Sequence, residues 1–196
     1  MLFSYFMRGE EERIFLEKMP IDLYYGPGSS PCRIVLLAAK SIGVELNLIP
    51  LNLMEQEYLK PEFVKINPQH TVPTINDNGF VMWESRAIIK YLQDAYGKNE
   101  SLYPKDAKKR AVVDQRLFFD RDLYAHFHEV YNKKTFSGSP PDPANVETAN
   151  KDLAFLDKIL ETSEYVAGDH LTLADLSLVV QISNLEAVKH DVSLKM

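Results

Sequence analysis

The sequence predicts an α/β unit followed by an all-α unit, and three observations carry that prediction. Between Ile21 and Pro50, apolar runs of strand length flank a helical spacing. Asp77-Asn78-Gly79 separates two further strand-like runs, and an Asn-Gly pair is the strongest short hairpin signal. From Asp106 onward the pattern is helical throughout, with turn clusters between the helices. A sheet domain followed by a helical one accounts for that order.

The elements follow in turn. Ile21 to Tyr25 reads as the first strand, and Ile34, Leu37 and Ala38 mark a helix ending near Gly43. Leu46, Leu48 and Pro50 suggest a second strand. A short helix is expected from Pro61 to Ile66, stopped at Asn67 because Pro68 disfavours helical geometry in the residue before it. Thr71 to Ile75 and Phe80 to Trp83 form the hairpin strands. Ser85 to Tyr96 is a helix with Ile88, Ile89, Leu92 and Tyr96 on one face and Gly97 as its stop. Asn99 to Pro104 reads as a linker. Beyond it, Ser137 to Pro143 separates two long helices, and Thr172 with Asp175 forms a capping box for a last, nearly all-apolar helix.

Composition narrows the function classes. Of 196 residues, 45% are apolar and 26% charged, which is globular rather than disordered. A net charge of −6, with no dense basic block, argues against a nucleic-acid partner or an anionic membrane surface. The single cysteine excludes an intrachain disulfide and a cysteine-based zinc site, and it points to a reducing compartment. No apolar run is long enough to span a membrane. Residues 1–18 match neither a signal peptide nor a mitochondrial address, and are expected to be a flexible N-terminal extension ahead of Met19.

The most informative local feature is Pro27-Gly28-Ser29-Ser30-Pro31-Cys32-Arg33, directly after the first strand. Gly28 permits a tight turn, Pro31 suits an early helical position, and a serine hydroxyl stands at the helix start. Unpaired N–H groups and the positive end of the macrodipole make such a start a place for an anion, a thiolate included. Taken alone, Ser29 reads as an ordinary N-cap in preference to a catalytic residue. Cys32 reads as a buried packing residue.

Three motifs in order, Leu23-Tyr24-Tyr25 with Pro27 to Arg33, then Asn67-Pro68-Gln69-His70-Thr71-Val72-Pro73, then Trp83-Glu84-Ser85-Arg86-Ala87-Ile88, resemble the cytosolic glutathione transferases, insect delta class, with epsilon as the nearest rival. The resemblance spans about residues 20 to 190. It implies a thioredoxin-like N-terminal domain of order βαβαββα over residues 20–98 and a helical-bundle domain over residues 106–196. It also implies a cytoplasmic homodimer that uses reduced glutathione as co-substrate, with no permanently bound cofactor and no metal.

Site residues carry over by position. The resemblance gives Ser29 the activation of the glutathione thiol. Ser30 is adjacent and equally hydroxylic, so the choice between them rests on the family pattern. Ser85 and Arg86 would meet the γ-glutamyl carboxylate, Glu84 the ammonium and His70 the glycine carboxylate. Val72 would pair through its backbone with the cysteinyl unit, ahead of a cis bond to Pro73. Two carboxylates, an amine and a thiol need cations or oriented donors at both ends and a thiolate stabiliser between them. Tyr124, Phe127 and Tyr131, three and four apart on one helix, are candidates for the hydrophobic-substrate pocket, with plain core packing as the competing reading.

The family pattern breaks at the C-terminus. The chain stops at Met196, where delta-class chains continue into a tyrosine-proline turn and further pocket helices, so the helical domain is read as truncated. Two functions follow: a transferase conjugating glutathione to hydrophobic electrophiles in xenobiotic detoxification, or a glutathione- or ligand-binding protein of the same fold with little turnover.

Overall fold

A computed structural model describes residues 20–132, 135 and 138–187. The readings of the N-terminal extension and of the chain end lie outside them. β1 (Ile21–Tyr25) is followed by α1 (Ser30–Ile42) and β2 (Leu46–Pro50), which pairs parallel to β1 with Ile21 opposite Leu46. After a single 3-10 turn at Glu57–Leu59 and a short α2 (Pro61–Val64), the hairpin β3 (Thr74–Asp77) and β4 (Phe80–Trp83) completes a mixed sheet of order β2-β1-β3-β4. Then come α3 (Ser85–Tyr96), α4 (Ala107–Asn132), α5 (Pro143–Leu160) and α6 (Leu173–Ala187). The two-unit reading of the fold holds.

Three local expectations change. β3 begins at Thr74 rather than Thr71, because Pro73 has no N–H for a ladder and the Thr71 carbonyl is already taken by Asn67 Nδ2 at 3.1 Å. The helix at Pro61 is four residues long, with the 3-10 turn before it unanticipated. Gly97 ends α3 at φ −63°, so its need for glycine is not a left-handed cap; a Cβ there would lie 2.4 Å from the Gln93 carbonyl oxygen.

One apolar cluster runs through both halves. Leu23, Ile34, Ile75, Ile88 and Leu92 of the sheet half are fully buried and continuous with Leu123, Phe127 and Leu173 of the helical half. Burying a side chain of this size contributes about 1.5–3 kcal/mol. α1 packs on both α3 and α6, which brings the helical half against the start of α1. Among the described residues, no helix is long and apolar enough to cross a membrane.

At the start of α6 the Asp175 half of the capping box forms, and its carboxylate reaches further than the motif requires. Asp175 Oδ2 accepts from Thr172 N–H and Thr172 Oγ1, both at 2.8 Å, and Oδ1 accepts from Val166 N–H at 2.8 Å. One carboxylate thus holds the helix start and the loop before it. Asp175→Ala is expected to cost about 2 kcal/mol, read as a lower urea midpoint with an unchanged slope.

Candidate functional site

The turn after β1 forms as its residues demand. Gly28 takes φ +82°, Ser29 N–H donates to Gly26 O at 3.1 Å, and Ser29 O accepts from Arg33 N–H at 2.9 Å as α1 begins. Ser29 occupies the N-cap position at φ −64° and ψ 123°, yet its hydroxyl makes no capping hydrogen bond. No acidic side chain stands in the first turn of α1, so none of that turn's own side chains offsets the positive end of the helix. Cys32 is fully buried. Burial pushes its thiol up from the ordinary value, while the Ser29 hydroxyl and the Gly26 backbone pull it down.

A cavity of about 390 Å³ opens beside that turn. Pro31 of α1, Val72 and Pro73 before β3, the Glu84 to Arg86 start of α3, and Tyr124 of α4 contribute to its walls. The Val72-Pro73 bond is cis, and neither the N–H nor the C=O of Val72 has a hydrogen-bond partner among the described residues. That leaves a donor and an acceptor for an extended peptide. Glu84 sits at φ +74°, an uncommon conformation for a residue with a Cβ, and its carbonyl accepts from Ala87 and Ile88 N–H, both at 2.9 Å. The start of α3 thus presents its first N–H groups and the buried Ser85 toward the cavity side.

Arg86 lines the cavity, but its guanidinium is turned inward. Nε donates to Asp120 Oδ2 at 2.7 Å and Nη2 stands 2.6 Å from the same oxygen, while Nη1 donates to Ser85 Oγ at 3.2 Å. Asp120 is fully buried and also accepts from Ser177 Oγ at 2.5 Å. Burial pushes the Asp120 carboxyl up, opposed by the Arg86 charge and the Ser177 hydroxyl. The guanidinium also lies 5.6 Å from the centroid of the Tyr124 ring.

The expected site residues divide. Val72, Pro73, Glu84, Ser85, Arg86 and Tyr124 come together around one cavity. Ser29 and His70 lie outside its lining, each next to a segment that contributes to it. His70 is exposed at φ +46° and stacks on Tyr58 with centroids 6.3 Å apart. Phe127 is corrected: it is 2% exposed in the common core, because it sits about 60° round the helix from Tyr124 and faces inward. The Tyr131 side chain lies outside the described residues.

Sequence reading missed Asp120 and Ser177. A signal for Asp120 was present: it falls on the stripe of Val113, Leu117, Leu123 and Phe127, where a carboxylate needs a buried partner. Among the described residues, no group of three His, Cys, Asp or Glu side chains is placed to hold a metal ion.

Comparison with known proteins gives the same outline. Residues 19–94 match the family model "Glutathione S-transferase, N-terminal domain", and residues 121–195 match "Glutathione S-transferase, C-terminal domain". A delta-class glutathione transferase of Nilaparvata lugens is 57% identical at a TM-score of 0.84, over 88% of this chain and 81% of that one. A Bombyx mori glutathione transferase is 45% identical at a TM-score of 0.87, over 90% and 82%. An epsilon-class enzyme of the housefly Musca domestica is 38% identical at a TM-score of 0.78, over 84% and 78%. With a thioredoxin-like sheet domain, a helical domain behind it and identity at this level over most of its length, the chain belongs to the glutathione S-transferase family.

Proposed function

We propose that this transferase conjugates the thiolate of reduced glutathione to hydrophobic electrophiles, with the Ser29 hydroxyl activating the sulfur. The observation that carries the reading is the start of α1: a hydroxyl that makes no capping hydrogen bond, on a helix with no acidic side chain in its first turn, two residues before the cavity-lining Pro31. A free thiol with a pKa of about 8.5 is only a few per cent ionised at neutral pH. Lowering that value by about two units, worth roughly 2.7 kcal/mol for the thiolate, leaves most of the sulfur ionised at pH 7. The sulfur then attacks the electrophilic carbon and displaces its leaving group.

The rest of the peptide has partners in place. The unpaired backbone edge of Val72 suits the cysteinyl unit, and Ser85 with the first N–H groups of α3 suits the γ-glutamyl carboxylate. Glu84 faces the ammonium and His70 the glycine carboxylate. Because Asp120 already holds Arg86, this arginine acts on the ligand as an anchored positive charge behind Ser85 rather than as a free bidentate fork. Tyr124 is the wall for the electrophile, and Tyr124→Ala is expected to raise the KM for the electrophile several-fold with little change in that for glutathione. We further place the protein in the cytoplasm as a homodimer, using glutathione as co-substrate and no resident cofactor; light scattering at twice the chain mass checks the assembly.

Turnover of a chloronitroarene with glutathione, measured beside retention on immobilised glutathione, tests the reading. Conjugation with retention is the expected result. Retention without turnover makes the chain a glutathione-binding protein instead.

A further inference from the structure

The two adjacent serines at the start of α1 are not equivalent, and a residue of the helical half makes the difference. Asn184 of α6 is 7% exposed; its Nδ2 donates to Ser30 Oγ at 2.6 Å and its Oδ1 accepts from Arg33 Nη1 at 2.8 Å. Arg33 Nη2 also donates to Ser183 Oγ at 2.9 Å. The amide orientation is determined by its partners: a guanidinium only donates, so Oδ1 faces Arg33 and Nδ2 is left for the serine. An aspartate here would lack the donor, and a leucine would lack both groups.

We propose that Asn184 is a positioning residue for the thiol-activating end of the site, gripping the first turn of α1 at Ser30 and Arg33 so that the neighbouring Ser29 hydroxyl is held toward the sulfur. The proposal rests on the Ser29 reading above. Two consequences follow from the geometry. Ser30 Oγ is already engaged across the domain junction, whereas the Ser29 hydroxyl is free of any capping bond. Among the described residues Arg33 is hydrogen-bonded to neutral partners and to no carboxylate, so its charge is not offset there; Arg86 of α3, by contrast, is paired with Asp120 of α4. A cation in a first helical turn opposes the macrodipole, and the Asn184 grip holds it there, adding to the field that favours an anion at Ser29. A small misplacement of an activating group is costly to rate, which makes a buried second anchor useful.

The test is a pH titration of the ultraviolet thiolate absorbance of bound glutathione in the wild type, in Asn184→Ala and in Ser30→Ala. Asn184→Ala is expected to raise the apparent thiol pKa by about 0.5–1 unit, a roughly three- to tenfold loss of thiolate below that pKa, and Ser30→Ala to raise it by less. Glutathione affinity should stay within about threefold, since the anchors from His70 to Arg86 are untouched. A lowered melting temperature with an unchanged thiol pKa in both variants makes Asn184 a merely structural contact and overturns the proposal. If Asn184→Ala does not fold, Ser30→Ala decides, because it keeps the arm to Arg33. A wild-type bound thiol that titrates like free glutathione overturns the Ser29 reading itself, and this inference with it.

Discussion

Ser29→Ala is expected to lower kcat/KM for conjugation near pH 6.5 by about 50-fold, because a thiol shifted about two units below 8.5 is half ionised there and an unassisted one about 1% ionised. Glutathione binding should persist, because the groups expected to hold the two ends of the peptide lie elsewhere, around Val72 and the start of α3. The fold should persist as well. An N-cap serine usually contributes about 1 kcal/mol, but this hydroxyl makes no capping bond, so the melting temperature should barely move. The pH dependence has a definite sign: the deficit is largest below the lowered thiol value of about 6.5 and closes as pH rises from there through the free value of about 8.5, where glutathione ionises without assistance. A variant equally impaired at all pH values would have lost something other than thiol activation.

The second large effect concerns the buried Arg86–Asp120 pair. Arg86→Ala leaves a fully buried carboxylate without its cation, and removing one partner of such a pair typically destabilises by about 3–5 kcal/mol. Urea denaturation should show that loss, and glutathione affinity should fall because Ser85 loses its neighbour at 3.2 Å. Asp120→Asn should be milder for stability, since an amide oxygen still accepts from Ser177. The double variant Arg86→Leu with Asp120→Leu separates the two roles. Stability should recover in part, as apolar replacement of a buried pair often does, while glutathione affinity should not. Parallel recovery of both would mean that the pair only supports the fold.

How much of this was legible in the sequence depends on the range of the interaction that decides it. The hairpin at Asn78-Gly79, the α3 face of Ile88, Ile89 and Leu92, and the Thr172–Asp175 cap are local, and each stands where local chemistry places it. The start of β3 was misjudged because Asn67 claims the Thr71 carbonyl, a side-chain choice that strand propensity does not register. Phe127 was grouped with Tyr124 by spacing alone, although the cavity takes only one edge of that helix face and the core takes the rest. Asp120, Ser177 and Asn184 act across 34 to 154 positions of the chain, and no periodicity reports a partner at that distance. The family motifs supplied the order of the site, whereas the junction behind it required the packed helices.

The central claim is that the start of α1 stabilises the sulfur of glutathione as a thiolate through Ser29. Titrating the ultraviolet absorbance of glutathione bound to the wild type and to Ser29→Ala tests it directly. The expected result is an apparent thiol pKa about two units below the free value of about 8.5 in the wild type, returning most of the way to it in the variant. A wild-type value equal to that of free glutathione, or a lowered value that survives the loss of Ser29, would contradict it.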